Sequence, residues 1–232
     1  MKYEILIFDA DETLFDFKKS ETEAFKNTML QFNIDYDENY HFNIYHKVNE
    51  AIWKEFEQGL ITQEKLKTER FRRFADQCKM NVDEEKLAQA FMEHLGNASF
   101  LYEGCDELIR GLSLTYRLCI VTNGLSLVQN RRIRKSKVAN YFEAIVISEE
   151  ISVAKPNPGI FEYALQQMNY LDKSKVLVIG DSLSSDIRGG VNFGVDTCWF
   201  NPKQLNNDTL LHPTYEVADY AALKALLCIP CL

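Results

Sequence analysis

Five short runs rich in aliphatic and β-branched residues recur along this chain: Tyr3 to Phe8, Leu118 to Val121, Ala144 to Ile147, Val176 to Ile179 and Asp196 to Phe200. They are nearly continuous in their apolar character instead of alternating, which is the mark of strands covered on both faces, as in a parallel sheet. Helical patterns lie between them, at Glu107 to Leu114, Ser126 to Val138, Pro158 to Met168 and Ser184 to Phe193. Strand and helix in alternation predict an α/β fold with a Rossmann-like, mostly parallel five-stranded sheet.

The alternation is broken once. From Phe17 to Gly96 no strand run occurs, only helical spacing such as Phe25, Met29 and Phe32, then Ile52 and Phe56. Ser20 and Glu23 have the spacing of a capping box, Gly59 is placed as a helix stop, and Asp83 can cap a helix through Leu87 and Phe91. About four helices are expected in this insert. In 232 residues, at about 100–200 residues per domain, the reading is a discontinuous catalytic core of 1–16 and 97–232 with an all-helical cap at 17–96. An insert so placed can act as a lid. Asn201 to Thr214 is expected to be a surface loop before a last helix, Ala221 to Leu227.

Composition removes several classes of function. With 26 Lys and Arg against 34 Asp and Glu, a formal charge of -8, the surface does not suit nucleic-acid phosphates. The one basic run, Arg131, Arg132, Arg134, Lys135 and Lys137, is read as a solvated helix face. No apolar run approaches the ~18–20 residues that span a bilayer, and no secretory pattern follows Met1, so a cytoplasmic protein without membrane partners is expected. The six cysteines are scattered, and Cys228 with Cys231 forms a C-x-x-C that is read as a plain tail. There is no G-x-x-x-x-G-K-[ST] loop and no G-x-S-x-G elbow, and Gly189, Gly190 and Gly194 come too late to make a dinucleotide fingerprint.

In an open parallel sheet, ligands gather at the carboxyl ends of the strands. Here the first strand ends in Asp9-Ala10-Asp11-Glu12-Thr13, the second in Thr122-Asn123-Gly124 and the fourth in Gly180-Asp181-Ser182, with Asp186 five residues after Asp181 and Lys155-Pro156 shortly after the third. Asp9 and Asp11 fall on one side of an extended segment. Carboxylates converging in this way repel one another unless a divalent cation neutralises them, and oxygen donors without histidine favour a hard ion such as Mg2+. A carboxylate pair, a hydroxyl, an ammonium group and a hard metal are what phosphoryl transfer needs. Uncatalysed phosphate-monoester hydrolysis is slow enough to require accelerations up to ~10²¹, roughly 29 kcal/mol, more than any single group supplies.

These four segments resemble, in order and spacing, the motifs of the haloacid-dehalogenase-like (HAD) hydrolases. The resemblance implies Asp9 as nucleophile, Asp11 as general acid/base, Thr122 and Asn123 as phosphate binders, and Lys155 as the lysine that neutralises charge. It further implies Mg2+ held by Asp9, Asp11 (through its backbone carbonyl) and Asp181, with Asp186 acting through water or orienting Lys155. An acid at position 11 favours a phosphatase over a dehalogenase, and Glu12 stands where that family most often has glycine. The stretches Phe8 to Phe15, Val146 to Glu150, Val153 to Asn157 and Thr197 to Asn201 resemble the YjjG-type pyrimidine 5'-nucleotidases, which implies hydrolysis of nucleoside monophosphates such as dUMP, dTMP or UMP. Phe17 and Trp53 are candidates for contact with the base, whereas helical spacing assigns Tyr45 and Phe56 to packing. A sugar-phosphate or phosphoglycolate phosphatase is the alternative within the same chemistry. A non-catalytic phospho-aspartate switch is the alternative from another class, disfavoured because Asp9 follows the first strand and a long lid is present.

Overall fold

The computed structural model describes residues 2–227; Cys228 and Cys231 lie outside them. Among the described residues the sheet is parallel throughout and six-stranded, with order β3-β2-β1-β4-β5-β6. Its members are β1 (Ile5–Phe8), β2 (Arg117–Thr122), β3 (Ala144–Ile147), β4 (Val176–Gly180), β5 (Asp196–Phe200) and β6 (Tyr215–Val217). The sixth strand corrects the expected five. Its three residues, Tyr-Glu-Val, are too few and too polar to read as a strand alone, but they pair with β5 from Cys198 to Phe200 at the sheet edge.

Side chains alternate between the two faces of the sheet. Leu6, Phe8, Leu118, Ile120, Leu177 and Ile179 pack under α5 (Cys105–Ser113) and α10 (Tyr220–Leu226). Ile5, Ile7, Cys119, Val121, Val176 and Val178 pack under α8 (Gly159–Gln167) and Phe193 of α9 (Arg188–Phe193). Burial on both faces explains why the strands are apolar runs. The remaining core α-helices among the described residues are α6 (Ser126–Arg132) and the single turn α7 (Ser148–Ile151), and a short wide helical turn, Leu183–Ile187, leads into α9. The helix expected to run from 126 to 138 thus stops at Arg132, where Ile133 turns in at φ -87, ψ -57 to bury itself in the core.

Between β1 and β2 lie α1 (Phe17–Gln31), α2 (Asn43–Glu57), α3 (Gln63–Cys78) and α4 (Glu84–Asn97), with a short wide helical turn, Glu38–Phe42, leading into α2. Phe25, Met29, Tyr45, Phe71, Phe74, Leu87 and Phe91 form a separate apolar core there, closed on one side by Leu125 and Val128 of the main body. Gly59 ends α2 with a left-handed φ of 72, and Asp83 caps α4 by accepting from the Lys86 N–H. Ser20 does not cap α1. Asp16 does, accepting from the Lys19 N–H, and Ser20 lies one turn inside with its hydroxyl donating to the Asp16 carbonyl. The two chain connections run side by side, paired by Asp16 N–H to Phe100 O (2.9 Å) and Tyr102 N–H to Leu14 O (3.0 Å). No helix among the described residues is long and apolar enough to cross a membrane.

Candidate active site

Strand register assembles the site. Phe8 lies beside Ile120 on one side and Ile179 on the other, so Asp9, Thr122 and Asp181 leave three adjacent strands within a residue or two of the same level. The Asp9 N–H still donates to the Ile179 carbonyl, extending the ladder one residue past β1. Asp181 is steadied through its carbonyl, which accepts from Trp199 Nε1 at 2.8 Å.

Lys155 is 3% exposed, and its ammonium group contacts the Asp9 carboxylate, Asp186 Oδ1 at 2.7 Å and the Val121 carbonyl at 2.9 Å. Asn123 grips the lysine's backbone from both sides, Nδ2 donating to the Lys155 carbonyl (2.9 Å) and Oδ1 accepting its N–H (2.8 Å). The carboxamide of Asn123 therefore positions Lys155. Asp186 is drawn in beneath Gly180: a Cβ on that glycine would meet Asp186 Oδ2 at 2.2 Å. The same Asp186 carboxylate accepts from the Ser182 N–H at 3.0 Å.

Asp9, Asp181 and Asp186 place one carboxylate oxygen each within 4.8 Å of one another. Burial, which outweighs the attraction of Lys155, together with repulsion from Asp186 and Asp11, pushes Asp9 up to about 7. Burial also raises Asp181 well above the ordinary carboxylate range, aided by Asp186, Asp9 and Glu12. Burial opposes the charge on Lys155, yet Asp186 and Asp9 more than offset it and its pKa is raised. The site thus holds more negative charge than its one ammonium group neutralises, and its donors are all oxygens, a set suited to a hard divalent cation.

The Asp11 side chain lies apart from this trio. Its two oxygens accept from Arg132 Nη1 and Gln129 Nε2, each at 2.7 Å, so the side-chain carboxylates that converge are those of Asp9, Asp181 and Asp186. Arg132 corrects the reading of the basic run as a solvated face: its side chain is fully buried. Its guanidinium also donates to the Ala98 carbonyl (3.1 Å) and lies 5.1 Å from the Phe17 ring centre. The signal that reveals it is helical spacing. Leu125, Val128, Gln129 and Arg132 share one stripe, and that stripe is the buried one. Thr122 is buried, and its hydroxyl accepts from Gln129 Nε2 and the Gly124 N–H, both at 3.3 Å.

Asp9, Asp11, Thr122, Asn123, Gln129, Lys155, Asp181 and Asp186 open onto one cavity of about 520 Å3, whose other wall comes from the helical insert through Phe17, Glu21, His46, Asn49, Trp53 and Arg70. Phe17 and Trp53 thus face the cavity, while Tyr45 is wholly buried in the insert's core. The model of the haloacid dehalogenase-like hydrolases matches residues 6–200. This chain belongs to that family. As a family member it is 36% identical to the pyrimidine 5'-nucleotidase YjjG of Escherichia coli over 98% of its own length and 99% of the relative's. It is 35% identical to the pyrimidine 5'-nucleotidase PynA of Streptococcus pneumoniae, over 96% and 94%. YfnB of Bacillus subtilis, solved as a HAD-hydrolase bound to magnesium, superposes with a TM-score of 0.93 at 32% identity, covering 99% of this chain and all of that one.

Proposed function

We propose that this HAD hydrolase is a Mg2+-dependent phosphomonoesterase that cleaves pyrimidine nucleoside 5'-monophosphates, such as dUMP, dTMP and UMP, through a phosphorylated Asp9. The observation that carries the reading is the meeting of Asp9, Lys155, Thr122 and two further carboxylates at one end of a cavity walled by the insert. The full-length likeness to two pyrimidine 5'-nucleotidases and to a magnesium-bound hydrolase supports the substrate class and the ion. Asp9, Asp181 and Asp186 are the side chains that would hold Mg2+. When bound, the ion neutralises part of their charge and draws electron density from the phosphoryl oxygens.

In the first half-reaction an Asp9 oxygen attacks phosphorus, the P–O5' bond breaks, and the nucleoside oxygen takes a proton from Asp11. In the second, Asp11 accepts a proton from water as that water attacks phosphorus, which frees Asp9 and releases phosphate. Lys155, fixed between Asp9 and Asp186, neutralises charge on the phosphoryl oxygens, and the Thr122 hydroxyl can bind one of them. Gln129 and Arg132 aim the Asp11 carboxyl. Residues 17–96 serve as a cap that excludes water while Asp9 is phosphorylated, hinged at the paired connections near 16 and 100.

The test is release of phosphate from dUMP, dTMP and phosphoglycolate with Mg2+ present. Asp9→Asn is expected to lower kcat at least 1,000-fold, equivalent to about 4 kcal/mol of barrier, and chelation of the metal to abolish turnover reversibly. Residual activity in Asp9→Asn within tenfold of the unaltered protein removes the nucleophile, and preference for phosphoglycolate removes the nucleotide.

A further inference from the structure

Arg70 is an arginine where an aliphatic residue would be expected. It occupies the buried stripe of α3 with Leu66 and Phe74 and is 2% exposed. Its guanidinium carbon lies over two rings, 5.3 Å from the Phe71 ring centre and 5.1 Å from that of Phe91. Along its edge, Nη1 donates to Asn49 Oδ1 at 3.2 Å and approaches Tyr45 Oη at 3.5 Å, while Nε and Nη2 have no hydrogen-bond partner among the described residues. A buried donor left without a partner is destabilising, more so when charged, and a well-packed apolar side chain would avoid that cost. The adjoining groups are polar as well. Glu21, also 2% exposed, accepts from Asn49 Nδ2 at 2.7 Å, and its second oxygen lies 3.4 Å from His46 Nδ1. Arg70, Asn49, Glu21 and His46 all line the cavity that holds Asp9 and Lys155.

We propose that Arg70, Asn49 and Glu21, with His46 beside them, are the insert's recognition site for the keto-imide edge of uracil or thymine. The inference rests on the nucleotidase reading above. That edge presents a carbonyl, an N3–H and a second carbonyl. The free donors of Arg70 match a carbonyl oxygen, and the Glu21 carboxylate matches the N3–H. A second phosphate or carboxylate on the substrate is a poorer occupant, since Glu21 would repel it. Cytosine offers an acceptor at N3 that a carboxylate cannot satisfy. Phe17 and Trp53, on the same cavity wall, provide apolar rings for the face of the base. A site built to hydrogen-bond an N–H discriminates strongly against an analogue lacking it, because its own buried groups are then left unpaired.

The experiment compares kcat/KM of the unaltered protein for dUMP, N3-methyl-dUMP, dCMP and 2-deoxyribose 5-phosphate, then repeats the series in Glu21→Ala, Arg70→Met and Arg70→Lys. The unaltered protein should favour dUMP over each of the others at least tenfold. The penalty for N3-methylation should shrink to within about threefold in Glu21→Ala, which removes both the acceptor and the bulk facing N3. The ratio of dUMP to deoxyribose 5-phosphate should fall at least tenfold in Arg70→Met, mainly through KM, with Arg70→Lys recovering part of it. If dUMP is favoured over deoxyribose 5-phosphate but N3-methyl-dUMP or dCMP is turned over equally well, the recognition site is wrong while the nucleotidase stands. A methylation penalty that persists in Glu21→Ala also overturns it. If dUMP has no advantage over deoxyribose 5-phosphate, the nucleotide reading falls and this inference falls with it. The first arms use the unaltered protein, so they decide the matter even where Arg70→Met fails to fold.

Discussion

Gly180 shows how a residue without a side chain can be as necessary to a site as the acids around it. Adding a methyl group there would drive into Asp186, whose Cβ is itself only 2.6 Å from the position a new Cβ would take. Gly180→Ala is therefore expected to dislodge Asp186 from Lys155 and from the Ser182 N–H. A loss of at least tenfold in kcat and a weaker apparent affinity for Mg2+ should follow, read from activity titrated with the ion. Arg132 invites a stability measurement. Removing one partner of a buried pair strands the other charge, and since Asp11 keeps 24% of its side-chain surface in water, Arg132→Met should destabilise by about 3 kcal/mol, the low end for buried pairs. Adding Asp11→Asn to that variant should restore part of the loss in a cycle of urea midpoints; strict additivity would show that the two residues are not coupled. Glu12 adopts φ 59, a left-handed conformation that costs a non-glycine residue about 1–2 kcal/mol. Its carboxylate compensates by accepting from the Lys18 N–H (2.9 Å) and Tyr102 Oη (3.1 Å). The carboxylates at the strand ends were legible because they sit in short contiguous motifs after strands. Arg132 was hidden inside a cluster of exposed basic neighbours.

At the level of elements, periodicity located the strands and the insert, and what it missed follows from neighbours distant in the chain. β6 exists as a strand only because β5 offers it an edge. The start of α1 moved from Ser20 to Asp16 because Phe15 bridges Leu101 and the chain must turn directly after that pairing. In α3, Glu69 accepts from Arg72 Nη2 (2.6 Å) and Arg73 Nε (3.0 Å), while Arg73 reaches across to Glu55 of α2 at 2.6 Å. The hydrogen bonds from Arg72, opposed by partial burial and reinforced by Arg73, hold Glu69 down from 4.5 to about 2. The folded pKa is depressed, so this stabilisation is complete above pH 4.5 and is lost as the pH falls toward 2. With Arg72 half exposed, solvent screening limits it to about 1 kcal/mol. The urea midpoints of the unaltered protein and Glu69→Gln should accordingly differ most at pH 6 and narrow as the pH falls toward 2; a constant gap would contradict the assignment.

Across the whole molecule, the insert is tied to the main body beyond its two connections. Lys67 pairs with Glu149 at 2.7 Å, Gln63 Nε2 lies 3.4 Å from the Asn123 and Gly124 carbonyls, and Ser184 donates to Glu57 at 3.0 Å. These polar contacts supplement the apolar seam that Leu125 and Val128 form with the insert's core, and they are the ones the proposed cap motion would break and remake. Lys67→Ala should weaken closure by about 0.5–1 kcal/mol. KM is expected to rise two- to fivefold with kcat little changed, and added salt should raise the KM of the unaltered protein toward that of the variant. An effect on kcat alone would separate this pair from closure. Fold class, the place of the insert and the acids at the strand ends could all be read in one dimension, because burial on two faces and helical spacing leave local patterns. The partnerships could not. Asp11 meets Arg132 across 121 positions, and Asn49 joins Glu21 to Arg70 from three different helices. Which charges are paired and which buried donors are left over depends on the register and packing that bring distant segments within 3 Å, and no local pattern encodes such distances.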